Sequence, residues 1–320
     1  MESIAVIGVG ALGKRHLQSL TELDRDVKLY GVESNPETIR LLEEEFNQQN
    51  KVSVTFVQEI ESLPTELDFV VIATSSNVRR MLFEKLTDHA TVRNILFEKV
   101  LFQKVEDYSF VAKRLKERNI KAWVNCARRE FDSYHELKAI VGMCKYFTFS
   151  AIGGQWGMGC NGIHMLDLIE FLAGEQETNI DISKVFPKIA DSKRKGFYEF
   201  FGTITGDCGC CNVFQLTCLE DTAMPFMIEV AGDKVRAIIN EGKQEIYIAK
   251  ENNGWVWEKK AFPIKYQSQL TKLVAEAVLE NGDCRLATYD DSEKLHLKFI
   301  EPLIGFFEEQ GMEEGLCPIT

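Results

Sequence analysis

The chain has 320 residues, of which 45% are hydrophobic and 27% charged, enough to bury two cores rather than one. Those proportions, with seven prolines and no apolar run approaching about eighteen residues, exclude disordered, collagen-like and membrane-spanning classes. A formal charge of -12, from 37 basic against 49 acidic residues, opposes binding to nucleic acid or an anionic membrane and favours a small-molecule partner.

Six short apolar runs, at 4–7, 27–32, 52–57, 69–73, 94–97 and 122–125, alternate with helical spacings. The helices are marked by Leu12, Leu20 and Leu23; by Ile39, Leu42 and Phe46; by Val78, Met81, Leu82 and Leu86; and by Tyr108, Val111, Ala112 and Leu115. Such alternation predicts β-α-β units, hence an α/β domain with a doubly wound parallel sheet over residues 1–121. Ser34-Asn35-Pro36 supplies the second helix with a cap and then a proline in its first turn. Beyond 125 the rhythm changes to a helix at 134–143, a strand at 147–152, a helix at 163–172, and mostly strand-like segments to about 260. Hairpins are expected around 197–205, 211–219 and 243–249, and helices at 269–279 and 292–309 close the chain. Residues 122–320 therefore read as an α+β domain, with the last helix free to pack back on the first domain.

The N-terminal residues carry neither a basic segment nor a small-residue cleavage site, so a cytoplasmic protein is expected. Nine cysteines, an odd number, read as reduced thiols. Cys208, Cys210 and Cys211 have no second pair nearby apart from Cys218, so a hairpin of small residues is expected there and no metal.

The motif Gly8-Val9-Gly10-Ala11-Leu12-Gly13 directly follows the first strand and opens the first helix. Gly8 permits the tight turn, Gly10 lets backbone amides approach a pyrophosphate, and Gly13 allows close helix–strand packing, with Ala11 and Leu12 at the positive helix end. Glu33 ends the second strand, twenty residues beyond Gly13. Its carboxylate suits the ribose hydroxyls and repels a 2′-phosphate, which favours NAD, while Arg40 one turn later keeps NADP open.

The segments GVGALGKRH at 8–16, Phe97-Glu98-Lys99, NCARREF at 125–131 and GIHMLDLIEFLAG at 162–174 occur in a telling order. Together they resemble the glucose-fructose oxidoreductase, inositol dehydrogenase and rhizopine catabolism family, Gfo/Idh/MocA, over nearly the whole chain. The resemblance implies an N-terminal Rossmann domain and a C-terminal α+β domain with an open, mainly antiparallel sheet. It also implies a nicotinamide cofactor, a sugar-like substrate, and association as a homodimer or homotetramer through the exposed face of that sheet.

The family's Glu-Lys-Pro motif appears as Glu98-Lys99-Val100, which makes Lys99 the expected catalytic residue at a strand's carboxyl end, with Glu98 toward the cofactor. Valine at 100 is a departure, since proline would fix φ. In the family's Asp-x-Gly-x-His-x-x-Asp motif this chain reads Cys160-Asn161-Gly162-Ile163-His164-Met165-Leu166-Asp167. His164 is the expected second catalytic residue, suited to proton transfer near neutral pH. Cys160, where the family often has aspartate, joins Asn161 and Asp167 in the expected substrate site. Thr74, Ser75 and Asn77 follow the fourth strand, where the cofactor's nicotinamide half is contacted; Ser76 or Asn77 also suits the cap of the next helix. Arg128 is expected to meet an anionic substrate group, with Arg129 beside it, and Trp156, in the glycine-rich 153–159 segment, to stack on a sugar ring.

The expected function is hydride transfer between NAD(H) and the alcohol or ketone of a sugar, polyol or sugar derivative, by an NAD(P)-dependent dehydrogenase or reductase acting on CH–OH groups. Lys99 polarises the oxygen and His164 relays the proton. Two alternatives remain at this point: a non-catalytic NAD-binding sensor or assembly protein, and NAD-assisted glycoside cleavage.

Overall fold

The computed structural model describes residues 1–46, 51–174, 177–209 and 211–320. In chain order the first elements are β1 (Glu2–Ile7), α1 (Ala11–Leu20), β2 (Val27–Val32), α2 (Pro36–Phe46), β3 (Val54–Val57), β4 (Glu66–Leu67), β5 (Phe69–Ile72), α3 (Ser76–His89), β6 (Thr91–Val92), β7 (Asn94–Phe97), α4 (Val105–Glu117) and β8 (Lys121–Val124). Then come α5 (Asp132–Val141), β9 (Phe147–Gly154), α6 (Met158–Ala173), β10 (Thr178–Asp191), β11 (Tyr198–Cys208), β12 (Asn212–Leu219), β13 (Met227–Gly232), β14 (Val235–Asn240), β15 (Glu245–Lys250), β16 (Glu258–Ala261), α7 (Gln267–Asn281) and α8 (Tyr289–Glu309). Two units form: Met1–Phe102 with Glu106–Ala127 and Lys265–Glu293, and Gln103–Val105 with Arg128–Ile264 and Lys294–Thr320.

The first unit holds a parallel six-stranded sheet in the order β3-β2-β1-β5-β7-β8. Strand order reverses between β1 and β5, which opens a crevice outside the carboxyl ends of those two strands. Ile4, Val6, Phe69, Val71 and Leu96 are buried because the sheet is covered on both faces. Leu17 and Leu20 of α1 pack into the same core, as do Val274, Ala275 and Val278 of α7. That apolar face of α7 is why 265–293 joins this unit, while the sequence reading carries residues 122–320 as one domain. At α2, Asn35 Oδ1 accepts the amides of Glu37 and Thr38 at 2.9 and 3.3 Å, so the expected cap and proline start are both present.

The third helical stretch differs in detail from expectation. The cap of α3 is Ser75 rather than Ser76 or Asn77, because Ser75 is the last residue with extended backbone; its hydroxyl donates to Asn77 Oδ1 at 2.7 Å. The buried face is Ser76, Arg79, Phe83 and Leu86, and Met81, expected inside, is 56% exposed. A guanidinium therefore takes an interior position that an apolar count cannot assign.

The second unit holds an eight-stranded sheet in the order β10-β11-β12-β9-β13-β14-β15-β16. Only the β9–β12 pair within it is parallel; every other pairing is antiparallel. Alternate residues Phe149, Ala151, Phe214, Leu216, Ile228, Val230, Ala237 and Ile239 are buried on one face. Helix α6 packs against β11 and β12. Val213 and Tyr247 lie on the opposite face and are exposed. The strand pair Cys208↔Asn212 closes the expected hairpin at 208–212; Cys210 lies outside the described residues.

Candidate functional site

The glycine loop between β1 and α1 shows why three glycines recur. Gly8 has φ +88°, and a Cβ there would lie 2.5 Å from Thr74 Cγ2. A Cβ on Gly13 would meet the Gly8 carbonyl oxygen at 2.0 Å, so only glycine lets α1 approach the strand this closely. Around Gly10 nothing lies within 4 Å of the position a Cβ would take, which leaves open space beside the α1 N-terminus. Helix α1 has no side-chain cap and no acidic residue in its first turn, so its positive end is offered to an anion at Ala11 and Leu12.

Two further observations fit a dinucleotide. Glu33, half-buried at the end of β2, accepts the Asn35 amide on Oε1 at 3.0 Å, which orients its carboxylate. Thr74 Oγ1 is buried and has no hydrogen-bond partner among the described residues, so a bound polar group would satisfy it. Arg40, the residue that kept NADP open, is exposed and paired with Glu37 and Glu44 at 2.8 and 2.7 Å.

Lys99 follows β7, half-buried, and its peptide bond to Val100 is cis. Glu98 beside it is 2% exposed and belongs to a buried network instead of facing outward. Its Oε1 accepts from His16 Nε2 at 3.0 Å and from Asn125 Nδ2. Asn125 Nδ2 also donates to Gln267 Oε1, Gln267 Nε2 donates to Thr271 Oγ1, and that hydroxyl lies 2.8 Å from His16 Nδ1. Burial pushes the Glu98 carboxyl up, but the bond and charge of His16, the Lys99 charge and Asn125 outweigh it and hold the group below its ordinary 4.5. The cofactor role expected for the Glu98 side chain thus becomes an anionic anchor next to Lys99. Gln267 and Thr271 lie some 250 residues from His16 in sequence and had no local signal beyond two polar residues, four apart, at the start of a helical pattern.

In the second unit Cys160, Asn161 and His164 lie half-buried on α6, within one turn of one another. Asp167 is separate from them in role: both of its oxygens accept from Arg129 Nε at 3.0 Å, with side chains 7% and 1% exposed. The expected substrate contact is therefore a buried ion pair. Arg128 is similarly engaged, donating to both Glu241 oxygens at 2.8 and 2.6 Å, while Tyr134 donates to the same carboxylate at 2.6 Å. Burial works against the charge on both groups, yet each overrides it for the other, so Arg128 stays protonated and Glu241 lies below 4.5. Trp156, expected to stack on a sugar, donates Nε1–H to the Thr217 carbonyl at 2.8 Å and packs on Phe226 at 5.0 Å. Asn161 Nδ2 donates to the Trp156 carbonyl at 2.8 Å. The Glu199 carboxylate accepts the Gly159 and Cys160 amides at 2.6 and 3.2 Å, supplying the cap that Gly157 lacks. Among the described residues no three His, Cys, Asp or Glu side chains converge as a metal site, none of the cysteines is in a disulfide, and no helix is long and apolar enough to cross a membrane.

Sheet order, the glycine loop and the open helix N-terminus beside it define a dinucleotide-binding Rossmann domain. Residues 3–126 match the model of an oxidoreductase family with an NAD-binding Rossmann fold, GFO_IDH_MocA, so this part of the chain is similar to the family its motifs resemble. No curated protein matches the chain by sequence. Several solved structures share the fold over nearly its full length. UDP-N-acetylglucosamine 3-dehydrogenase GnnA from Acidithiobacillus ferrooxidans is 14% identical with a TM-score of 0.70, covering 94% of this chain and 96% of its own. An oxidoreductase from Agrobacterium radiobacter, solved with NAD+, L-tartaric acid and magnesium, is 17% identical at 0.71, covering 94% of each chain. A super-repressor mutant of Gal80p from Saccharomyces cerevisiae is 12% identical at 0.72, covering 98% and 96%.

Proposed function

We propose that the protein is an NAD-dependent dehydrogenase or reductase acting on an alcohol or ketone of a sugar, polyol or sugar derivative. The observation that carries this reading is the open space at Gly10 beside an uncapped helix N-terminus, with Glu33 and the buried Thr74 hydroxyl on neighbouring strand ends. The bound dinucleotide supplies or accepts the hydride. Backbone amides of Ala11 and Leu12 hold the pyrophosphate, and Glu33 accepts the ribose hydroxyls. Thr74, with Ser75 and Asn77, contacts the nicotinamide half. Lys99 donates a hydrogen bond to the reacting oxygen, and its ammonium balances charge that develops there. His164 takes or returns the hydroxyl proton, and Cys160 and Asn161 contribute to substrate contact.

Preference for NAD over NADP is supported by Glu33 and by the pairing of Arg40 with Glu37 and Glu44. The sugar-like substrate class rests on the motif resemblance and on the relatedness of fold to a nucleotide-sugar dehydrogenase. Homo-oligomer formation through the face carrying Val213 and Tyr247 is part of the same proposal, as is a cytoplasmic setting. A regulatory, non-catalytic role is the second reading, favoured by cysteine at 160 and by the Gal80p likeness.

A screen of sugars, polyols and nucleotide sugars with NAD+ and NADH separates the two. Turnover that Lys99→Ala and His164→Ala abolish, while NADH affinity persists, supports the enzyme. NADH binding with no turnover of any compound supports the regulator.

A further inference from the structure

Arg79 lies in the first turn of α3 and is 1% exposed. Its guanidinium donates to backbone carbonyls of two separate loops. One NH2 group donates to Thr74 O, after β5; the other donates to Val100 O and, at 2.7 Å, to Leu101 O, after β7. Burying a guanidinium is costly unless its donors are satisfied, and only a planar fork of five N–H groups reaches carbonyls on both sides. A lysine ammonium, with all donors on one atom, cannot span the two loops. Val100 is bonded to Lys99, so one side chain ties the Thr74 loop to the Lys99 loop.

We propose that Arg79 is a positioning residue that fixes the spacing between the Thr74 and Lys99 loops and thereby governs how tightly the nicotinamide end of the cofactor is held. The inference rests on the cofactor reading above. Glu33 and the glycine loop lie toward β1 and β2, so the adenosine end is held without Arg79. The two ends of one ligand should therefore respond differently to loss of the clamp.

The test titrates the full chain with NADH and with ADP-ribose, which lacks the nicotinamide, in wild type, Arg79→Lys and Arg79→Met. Wild type is expected to bind NADH more tightly than ADP-ribose. Arg79→Met should lose about tenfold in NADH affinity and keep ADP-ribose within about twofold, with Arg79→Lys intermediate. Retained ADP-ribose binding also reports that the glycine loop is folded. Equal losses for both ligands, or no loss in either variant, overturns the assignment. A wild type that binds ADP-ribose but gains nothing from the nicotinamide overturns it as well. A wild type that binds neither ligand sinks the cofactor reading itself, and the inference with it.

Discussion

Asparagine at 167 separates a structural from a substrate-binding role for the motif's aspartate. In the folded chain both Asp167 oxygens take the Arg129 Nε–H, and the two side chains are almost fully buried. Breaking such a pair by removing one charge costs about 3–5 kcal/mol, because the remaining ion stays out of water. Asparagine preserves volume and one acceptor oxygen, so the lower end, about 3 kcal/mol, applies to Asp167→Asn. For a unit of roughly 150–250 residues, at about 2–4 °C per kcal/mol, the midpoint should drop by about 6–12 °C. Scanning calorimetry and urea titration at neutral pH measure this directly. NADH affinity should stay within about twofold, since the dinucleotide loop lies in the other unit. The double variant Arg129→Met/Asp167→Leu, which removes both charges, should be more stable than Asp167→Asn alone. If Asp167→Asn instead unfolds within about 1 kcal/mol of wild type while turnover collapses, the aspartate serves substrate and the ion-pair reasoning fails.

Glycine substitutions in the first loop should divide sharply. Gly13→Ala places a Cβ 2.0 Å from the Gly8 carbonyl and should lose about 1–3 kcal/mol of stability together with NADH binding; unchanged stability would refute the packing argument. Gly10→Ala meets nothing within 4 Å, so stability should hold while NADH affinity falls, and wild-type affinity in this variant would remove the pyrophosphate from Gly10. Acid should destabilise the fold through Glu98 and Glu241, whose folded values both lie below 4.5. A depressed carboxylate stabilises above its unfolded value and loses that contribution as pH falls through the folded one, so urea midpoints should decline below about pH 4.5. The decline should be shallower in Glu98→Gln, and an equal slope in both proteins would argue against the buried carboxylate.

Much of the first unit is legible because its signals are local. Strands at 27–32 and 94–97 coincide with β2 and β7, and the glycines, Asn35 and Pro36 act through their own backbone. The sheet of the second unit is legible as strands separated by turn residues, but not its order, since β9 pairs with β12 and β13 across long stretches of chain. What the sequence conceals is polar burial. Arg79, in a helix with apolar residues to spare, turns inward because three carbonyls need donors. Arg128 reads as an anion receptor until Glu241, 113 residues away, is seen on its guanidinium. His16 and Glu98 look like separate motif letters, and Thr271 and Gln267 complete their network from a helix near the other end of the chain.

If the glycine loop and Glu33 hold a nicotinamide dinucleotide lacking a 2′-phosphate, the two reduced cofactors must bind unequally. Titration calorimetry of the full chain with NADH and NADPH, in wild type and Glu33→Ala, tests it most directly. One NADH per chain should bind saturably, NADPH should bind more weakly, and Glu33→Ala should narrow the gap. Absence of saturable NADH binding, or equal affinities that Glu33→Ala leaves unchanged, would contradict it.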